Sequence, residues 1–494
     1  MRLFSCILVM SLLASSNLHA LSPLDFGLKT ARNGEERFWA LYEAHVKAAK
    51  TGEHLSYAKV GNLDIEIPYN AKSIPIIWNT DFCGITITVK NNTKDFTLFT
   101  YSTQMYPIEL DKNDIDGRDF TGYEELKRGI KVLVLRDKTP WVEERKGFTY
   151  GASRADVRLL INGKARNEAI LPYNNTQSLP SAMYYVTDRK KKSIENLIFV
   201  RDSASLFITR LFDINAVNNV QIKDVRVVTP PEPLLYGDAV ITVCNSTNVS
   251  LNNINVHGTY SRKDKYGYGI SLCNVWNINC VNIKSNVEWG IFCCNNINNA
   301  KLNKCDINRF DCHCYGRNIE AVDCVFRDLS NQISSVYGTI RFKRCVFKNF
   351  IPLYLRDDYN AYVPFDVEFI QCKYFATSKA RTLLYMGGLY NDVNKRPELA
   401  EKCWPNVNIK DMEIVCGDNI NSVSIFDVNK CIPKDYTVSY ISRIKAKNLK
   451  VIGEGVTLEI SHHPVKTQNS VSFSFEQSGA SALIDKGKIV GLVE

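Results

Sequence analysis

A short motif recurs in the middle of the chain: Cys280-Val-Asn-Ile, Cys305-Asp-Ile-Asn, Cys324-Val-Phe-Arg, Cys345-Val-Phe-Lys and Cys372-Lys-Tyr-Phe. Most copies place a small residue before a short stretch of residues that favour β-strands. Successive copies are 23 residues apart on average. This spacing is too short for a helical repeat, and Val, Ile, Asn and Cys are weak helix formers. One coil of a parallel β-helix, made of three short strands, fits it, so the sequence predicts an all-β solenoid.

Asparagine and cysteine have natural places in such a coil. Asparagine tolerates left-handed turns, and stacked amides can bond to each other along the helix axis. Cysteine at equivalent positions of successive coils fills a narrow core as a small hydrophobic residue. We therefore interpret the cysteines from Cys244 to Cys372 as core thiols rather than disulfide partners or zinc ligands. The asparagines near the expected turns are Asn274, Asn277, Asn279, Asn295, Asn296, Asn298, Asn299 and Asn303.

The composition is that of an ordinary folded chain. Of the 494 residues, 45% are hydrophobic and 23% are charged, which excludes a disordered or collagen-like protein. Lys and Arg outnumber Asp and Glu by 61 to 52, which gives a formal net charge of +9. This excess is compatible with an anionic polymer as partner but does not require one. The sequence has no dense basic stripe and no nucleic-acid-binding motif, so nucleic-acid binding is not expected.

The first 20 residues have the features of a secretory signal peptide. Arg2 gives a positive start, residues 3–13 form an apolar run too short to span a bilayer, and Ala20 ends a small-residue cleavage site. No later segment approaches a membrane span. The sequence therefore predicts a secreted or periplasmic protein.

The rest of the chain is interpreted as one capped solenoid. Residues 21–190 are predicted to form an N-terminal cap and the first coils, residues 191–394 the central β-helix with the active groove, and residues 395–494 the terminal coils and a C-terminal β cap. An amphipathic helix over residues 37–49 is expected to close the open end, with His45 as a satisfied core or boundary histidine. The basic runs 145–146 and 189–192 are interpreted as loop surface, with a substrate-facing role as the alternative.

Aromatic residues are expected to form one wall of a groove on the β-helix surface. Gly269 and Gly290 are 21 residues apart, about one coil. Tyr268 and Trp289 should therefore stand one above the other at the strand spacing of about 4.8 Å. Aromatic faces of this kind stack on sugar rings.

Ionisable residues are expected to continue this column. In Asp311-Cys-His-Cys-Tyr315, side chains alternate between the two faces of a strand, so Asp311, His313 and Tyr315 should point outward if the cysteines point inward. Arg341 and Arg356 should follow in the next coils. Arginine binds carboxylates, while histidine and tyrosine transfer protons, so the pattern indicates a catalytic groove for an acidic sugar polymer.

The same region resembles a known family. The motifs are Trp289-Gly-Ile, Arg309-Phe-Asp-Cys-His-Cys-Tyr-Gly and Leu353-Tyr-Leu-Arg-Asp-Asp-Tyr, and they resemble secreted right-handed parallel β-helix proteins of the pectate-lyase-like superfamily. The resemblance covers residues 266–375. It implies a right-handed β-helix that degrades polysaccharides, with Asp311, His313, Arg356, Asp358 and Tyr359 at the recurrent positions. The turn after His313 departs from the pattern, which is more polar and contains glycine there. The superfamily includes lyases, hydrolases and epimerases, so it leaves the reaction open.

A polysaccharide lyase that cleaves a uronic-acid polymer by β-elimination is the preferred interpretation. Arg341 or Arg356 would neutralise the substrate carboxylate and so acidify the adjacent ring proton. His313 would remove that proton, and Tyr315 or Tyr268 would protonate the leaving oxygen. A calcium-dependent version would need more acidic residues than this region offers, so no metal or other cofactor is predicted.

Two alternatives remain open. A glycoside hydrolase would need two flanking carboxylates, for which Asp311 with Glu288 or Asp358 are the candidates. A non-catalytic glycan-binding protein or tailspike-like adhesin would need only aromatic residues and arginines, although the export signal argues against a phage tail protein. The residues predicted to bind substrate are Tyr268, Glu288, Trp289, Arg341, Asp358 and Tyr359. The sequence leaves the oligomeric state open.

Overall fold

The structure is a computed structural model, and the described part of the chain is discontinuous. It comprises residues 20–90, 95–136, 155–169, 179–202, 209–228, 239–257, 268–285, 290–334, 336–356, 365–386, 406–428, 444–461 and 489–490. The signal peptide therefore lies almost wholly outside the described residues and stays a prediction. No helix in the described ranges is long and apolar enough to cross a membrane.

The N-terminal end is closed by a helix, as expected. A short 3-10 helix, Pro23–Phe26, precedes helix α1, Gly34–Thr51. Asn33 caps α1 by accepting a hydrogen bond from the backbone N–H of Glu36 at 2.8 Å, and Gly52 ends it in a left-handed conformation. The first coils follow as β1 Leu63–Glu66, β2 Ile74–Pro75, β3 Thr80–Asp81, β4 Thr86–Lys90 and β5 Phe96–Ser102.

An antiparallel sheet is inserted after these first coils, and sequence patterning did not predict it. Its five strands lie in the order β6-β10-β7-β8-β9 and pack against later coils. The Tyr185 hydroxyl donates to the backbone oxygens of Val217 and Asn245, at 3.1 and 3.0 Å, and this anchors the sheet to the coils. The strands are β6 Tyr106–Ile108, β7 Ile130–Arg136, β8 Ala155–Ile161, β9 Lys164–Ala165 and β10 Ser181–Thr187.

The remaining strands join the first five in one 27-stranded sheet whose paired strands run parallel, which confirms the β-helix. They are β11 Lys192–Arg201, β12 Thr209–Asn215, β13 Asn218–Val228, β14 Ile241–His257, β15 Tyr268–Val281, β16 Lys284–Ser285, β17 Gly290–Asn303, β18 Asp306–Ile307, β19 Asp311–Val322, β20 Val325–Asp328 and β21 Asn331–Ile333. The stack continues with β22 Val336–Lys343, β23 Val346–Asn349, β24 Leu353–Leu355, β25 Phe365–Ile370, β26 Lys373–Ala376, β27 Thr382–Met386, β28 Asn406–Cys416, β29 Ser422–Val428, β30 Ile444–Ile452, β31 Thr457–Ser461 and β32 Ile489–Val490.

Each central coil has three faces. Face A contains residues 268–273, 290–295, 311–314, 331–333 and 353–355; face B contains residues 278–281, 300–303, 319–322 and 340–343; and face C contains residues 305–307, 325–328, 346–349 and 373–376. The chain bends between faces at single residues with positive φ, of which Asn274, Asn277 and Asn282 are one coil's set. Their amides stack as predicted: Asn277 Nδ2 donates to Asn248 Oδ1 at 2.5 Å, for example.

The cysteine ladder is confirmed as core thiols, but Cys244, Cys273 and Cys293, which were also predicted to lie in the core, are only half-buried. Cys305, Cys324, Cys345 and Cys372 are buried, unbridged residues of the apolar core. Cys280 does not belong to this ladder, because it pairs with Leu302 on face B. Each ladder cysteine directly follows a residue with a positive φ, and this left-handed turn fixes which residues of successive coils lie side by side. These turn residues are Lys304, Asp323, Arg344 and Gln371.

Candidate active site

A β-bulge on face A presents the candidate site. Strands β17 and β19 pair Cys294 with Cys312 and then Asn295 with Cys314, which leaves His313 as an extra residue. Cys312 points into the apolar core. Asp311 and His313 therefore lie on the outer side of the strand, as period-two alternation predicts, and the alternation ends at the bulge.

Asp311 is the centre of a buried charge cluster. Its side chain has no exposed surface, and it accepts hydrogen bonds from Arg309, from Arg356 Nη1 at 3.1 Å and from the Tyr268 hydroxyl at 3.1 Å. His313 Nε2 lies 3.2 Å from the same carboxylate. Burial alone would raise the pKa of Asp311, but its interactions with His313, Arg309 and Arg356 outweigh burial and hold that pKa well below its usual range. Asp311 is therefore ionised at neutral pH.

His313 and Tyr268 form the most accessible part of this cluster. The Tyr268 hydroxyl lies 2.9 Å from His313 Nε2, and their rings meet edge to face with centroids 5.6 Å apart. On the other side of the imidazole, Nδ1 lies 3.5 Å from Cys293 Sγ. Burial, followed by the nearby charge of Asp311, raises the pKa of Cys293 to about 12, so this thiol stays neutral and orients the ring without competing for its proton.

Gly290 allows Tyr268 to reach this cluster. Tyr268 pairs with Gly290, and a Cβ at Gly290 would lie 3.2 Å from Cε1 of Tyr268 and 3.0 Å from Nε of Arg309. The phenol thus passes over a position without a side chain to reach Asp311, one coil further on. The predicted pairing of Gly269 with Gly290 is wrong by one residue, because these coils are 22 residues apart at this point. Consequently Tyr268 does not pair with Trp289, which, like Glu288, lies outside the described residues.

The predicted position of Tyr315 beside His313 is wrong. Tyr315 is fully buried and has a φ of 55°. It occupies the left-handed turn between faces A and B, where the preceding coils have Asn274 and Asn296. The bulge at His313 uses one residue, so the chain turns at Tyr315 instead of extending face A.

Arg341 is also separate from the cluster, contrary to the prediction. It lies on face B opposite Glu320, beyond the turn at Asn318. Its Nε donates to Glu368 Oε2 at 2.5 Å. Arg356, by contrast, joins the cluster as predicted. Asp358 and Tyr359 lie outside the described residues.

Sequence reasoning missed two features of this face. Arg309 is buried against Asp311, and its place two residues before Asp311 was a usable signal, because residues two apart share a side of a strand. Tyr354 and Tyr385 pair with each other in register and extend the column of Asp311 through Gln332. Their rings meet edge to face at 5.2 Å, which forms an aromatic surface beside the cluster.

The described residues offer no ready metal site. Within the described ranges, no three His, Cys, Asp or Glu side chains are grouped to hold an ion. Asp311 uses both carboxylate oxygens for its arginine and tyrosine partners. Its arrangement suits proton transfer between His313 and Tyr268, because a fixed anion stabilises an imidazolium beside it.

Fold and site together define a parallel β-helix protein with a cluster of ionisable groups on one face. Two similar solved structures are phage tailspikes. The tailspike protein gp49 from Pseudomonas phage LKA1 has 12% sequence identity and a TM-score of 0.60, over 96% of this chain and 83% of that chain. The Gp54 tailspike of Acinetobacter baumannii bacteriophage AP22, solved in complex with A. baumannii capsular saccharide, has 10% identity and a TM-score of 0.53, over 93% and 79%. No protein-family model and no curated protein matches the sequence. Such identities establish similarity of fold alone.

Proposed function

We propose that this protein binds an acidic polysaccharide and cleaves it by β-elimination at the Asp311 cluster. The observation that carries the proposal is the 2.9 Å contact between the Tyr268 hydroxyl and His313 Nε2 beside a buried, ionised carboxylate. Support for a saccharide ligand comes from the β-helix fold, because one similar tailspike was solved with a capsular saccharide. The aromatic surface of Tyr354 and Tyr385 offers stacking partners for sugar rings on the same face.

The cluster has the groups that an elimination requires. Tyr268 and His313 act as one proton-transfer pair that accepts the ring proton next to the uronate carboxylate. The electrons of that C–H bond form a ring double bond as the glycosidic C–O bond breaks, and the pair returns the proton to the leaving oxygen. Asp311 stabilises the positive imidazole in between. Arg356 contributes positive charge where the substrate carboxylate becomes more anionic, which favours the transition state.

Glycoside hydrolysis fits the described side chains less well. Its general acid must be protonated, which requires a raised pKa, whereas the charges around Asp311 lower its pKa. A nucleophile or base must contact the sugar or a water molecule, but Asp311 is completely buried. Asp311 is therefore better suited to orient His313 than to act on substrate.

The reaction is tested with a panel of pectate, alginate and glycosaminoglycans. We expect the protein to produce the ultraviolet absorbance of unsaturated uronate from at least one of them. His313→Ala and Tyr268→Phe should each lower the rate about a hundredfold or more while retaining binding. His54→Ala, which changes an exposed histidine elsewhere, is the matched control. New reducing ends without this absorbance would show hydrolysis, and binding without either product would show a glycan-binding protein.

A further inference from the structure

An open cavity lies where the inserted sheet meets the coils. It has a volume of about 400 Å³, and it shares no lining residue with the Asp311 cluster. Ile130, Leu159 and Ile161 of the inserted sheet form one wall. Asn219, Asn248 and Asn277, which occupy the left-handed position directly before face B in successive coils, form the opposite wall. The volume lies in the range of small-ligand sites, roughly 300–1,000 Å³.

The two walls match the two kinds of surface on a sugar. The aliphatic side chains of the inserted sheet offer contacts for the C–H groups of a pyranose ring. The amides opposite offer hydrogen bonds to hydroxyl groups. This combination favours a saccharide over a purely apolar ligand, for which a wall of amides would be costly to dehydrate.

The amides retain hydrogen-bonding capacity after they have stacked. Asn248 Nδ2 donates to Asn218 Oδ1 at 2.8 Å, and Asn248 Oδ1 accepts from Asn277 Nδ2 at 2.5 Å. Asn277 Oδ1 in turn accepts from Asn299 Nδ2 at 3.2 Å. A side-chain amide has two N–H donors and two acceptor positions on oxygen, so the ladder uses only half of each. Successive coils therefore present donors and acceptors about 4.8 Å apart, which is comparable to the length of a pyranose ring.

Arg189 gives the cavity an affinity for anions. The coil amides hold its segment in place: Asn219 Nδ2 donates to the Arg189 backbone oxygen at 2.9 Å, and Asn218 Nδ2 donates to the Asp188 backbone oxygen at 2.6 Å. Arg189 lines the cavity and is exposed there, whereas the neighbouring Lys191 is exposed without lining it. A guanidinium binds a carboxylate with two parallel hydrogen bonds, so an acidic sugar fits better than a neutral one.

We propose that this cavity is a second, non-catalytic binding site for one or two rings of a uronate-containing saccharide. The inserted sheet supplies the wall that the coils lack, so the site exists only because of the insertion. A second contact with the same polymer would raise the overall affinity by making one binding event intramolecular once the other has formed. The proposal does not require that the Asp311 cluster cleaves anything.

The test counts binding sites by calorimetry on His313→Ala protein, with tetragalacturonate and a hyaluronan tetrasaccharide as probes. Arg189→Glu should remove the cavity's binding event or weaken it at least tenfold. Lys191→Glu makes the same charge change two residues away, outside the cavity lining, and should retain binding. Ser250→Tyr fills the cavity without changing charge and should also abolish this event, with circular dichroism to verify folding. Methyl-esterified tetragalacturonate should not bind in the cavity.

Several outcomes would overturn the proposal. Equal losses in Arg189→Glu and Lys191→Glu would show general attraction between charges instead of a site. Binding that survives both Arg189→Glu and Ser250→Tyr would place the saccharide elsewhere, and absence of binding by both uronate probes would remove its basis. If the wild type cleaves none of the polysaccharides but still shows the cavity's binding event, the proposed lyase activity is wrong and the proposed binding site stands.

Discussion

Single residues at the site depend on one another because they share a buried charge. Asp311 has no contact with water, and its negative charge is offset by Arg309 and Arg356. Removing one member of such a group leaves the others charged and unpaired in a low-dielectric environment, which is more costly than the loss of an exposed pair. The cluster is thus both a candidate reaction centre and a structural element of face A.

Asp311→Asn should destabilise the protein by about 3–5 kcal/mol, because two buried arginines then face a neutral amide. Denaturant unfolding of wild type and variant measures the difference. The control is Asp306→Asn, which breaks a half-exposed pair with Arg327 and should cost less than about 1 kcal/mol. Similar losses in the two variants would mean that the Asp311 cluster is not energetically special.

Gly290→Ala should reduce turnover about tenfold or more and destabilise the protein less than Asp311→Asn does, because the buried charges stay paired. The added methyl group would lie 3.2 Å from Tyr268 and 3.0 Å from Arg309, so the phenol must shift away from His313, and small displacements of a catalytic group are costly. Gly61→Ala serves as the control, since no atom lies within 4 Å of its added Cβ. Full activity of Gly290→Ala on the cleaved polysaccharide would contradict the role given to Tyr268.

Elements of the β-helix are set by their turns, and this explains how far sequence could predict them. Alternation correctly placed Asp311 and His313 on the outer side of the strand and Cys312 inside, but the expected exposure of Asp311 is wrong, because the charged side chains around it bury it completely. It failed at Tyr315, because a bulge inserts one residue without a mark in the sequence. The inserted antiparallel sheet was missed for a similar reason. A strand has the same alternating sequence pattern whether it pairs in parallel with the next coil or antiparallel with a neighbouring strand. The spacing of the glycines gave the approximate length of a coil but not the pairing register. An error of one residue in the coil length changes which residues of neighbouring coils pair.

Lys304→Asn should stabilise the protein by about 1 kcal/mol. Lys304 has a φ of 53° in the turn column between faces B and C, where Asn282 precedes it and Asp323 follows. Left-handed backbone is unfavourable for most side chains, and asparagine tolerates it best after glycine. An amide there could also continue the stack that Asn282 Nδ2 makes with Asn253 Oδ1 at 2.9 Å.

Thermal and denaturant unfolding of Lys304→Asn gives the measurement. Lys301→Asn removes the same charge from an exposed strand position nearby and should not stabilise. Unchanged stability of Lys304→Asn would show that the turn column is indifferent to side-chain chemistry, and lower stability would show that it favours lysine there.

At the scale of the whole molecule, the coil stack depends on its closed end. Each coil contacts mainly its neighbours, so an uncovered end would expose the apolar core. Helix α1 covers that end through buried residues that include Phe38, Leu41 and His45. His45 is satisfied in its neutral form, as the sequence indicated: Nδ1 donates to the Pro75 backbone oxygen at 3.0 Å, and Nε2 accepts from the Tyr57 hydroxyl at 2.7 Å.

This cap should weaken in acid. Burial lowers the pKa of His45 to about 3, against 6.5 when it is exposed. Between these values the unfolded chain binds a proton that the folded chain does not, so stability is complete above pH 6.5 and falls as the pH drops toward 3. From pH 7 to pH 5 the free energy of unfolding should decrease by about 2 kcal/mol because of this residue.

Denaturant unfolding of wild type and His45→Gln at both pH values isolates the contribution of His45. The variant should be less stable at pH 7 but should lack this decrease. His54→Gln, at an exposed position, should retain the decrease. If His45→Gln and wild type lose equal stability between the two pH values, the acid sensitivity lies elsewhere in the coil stack.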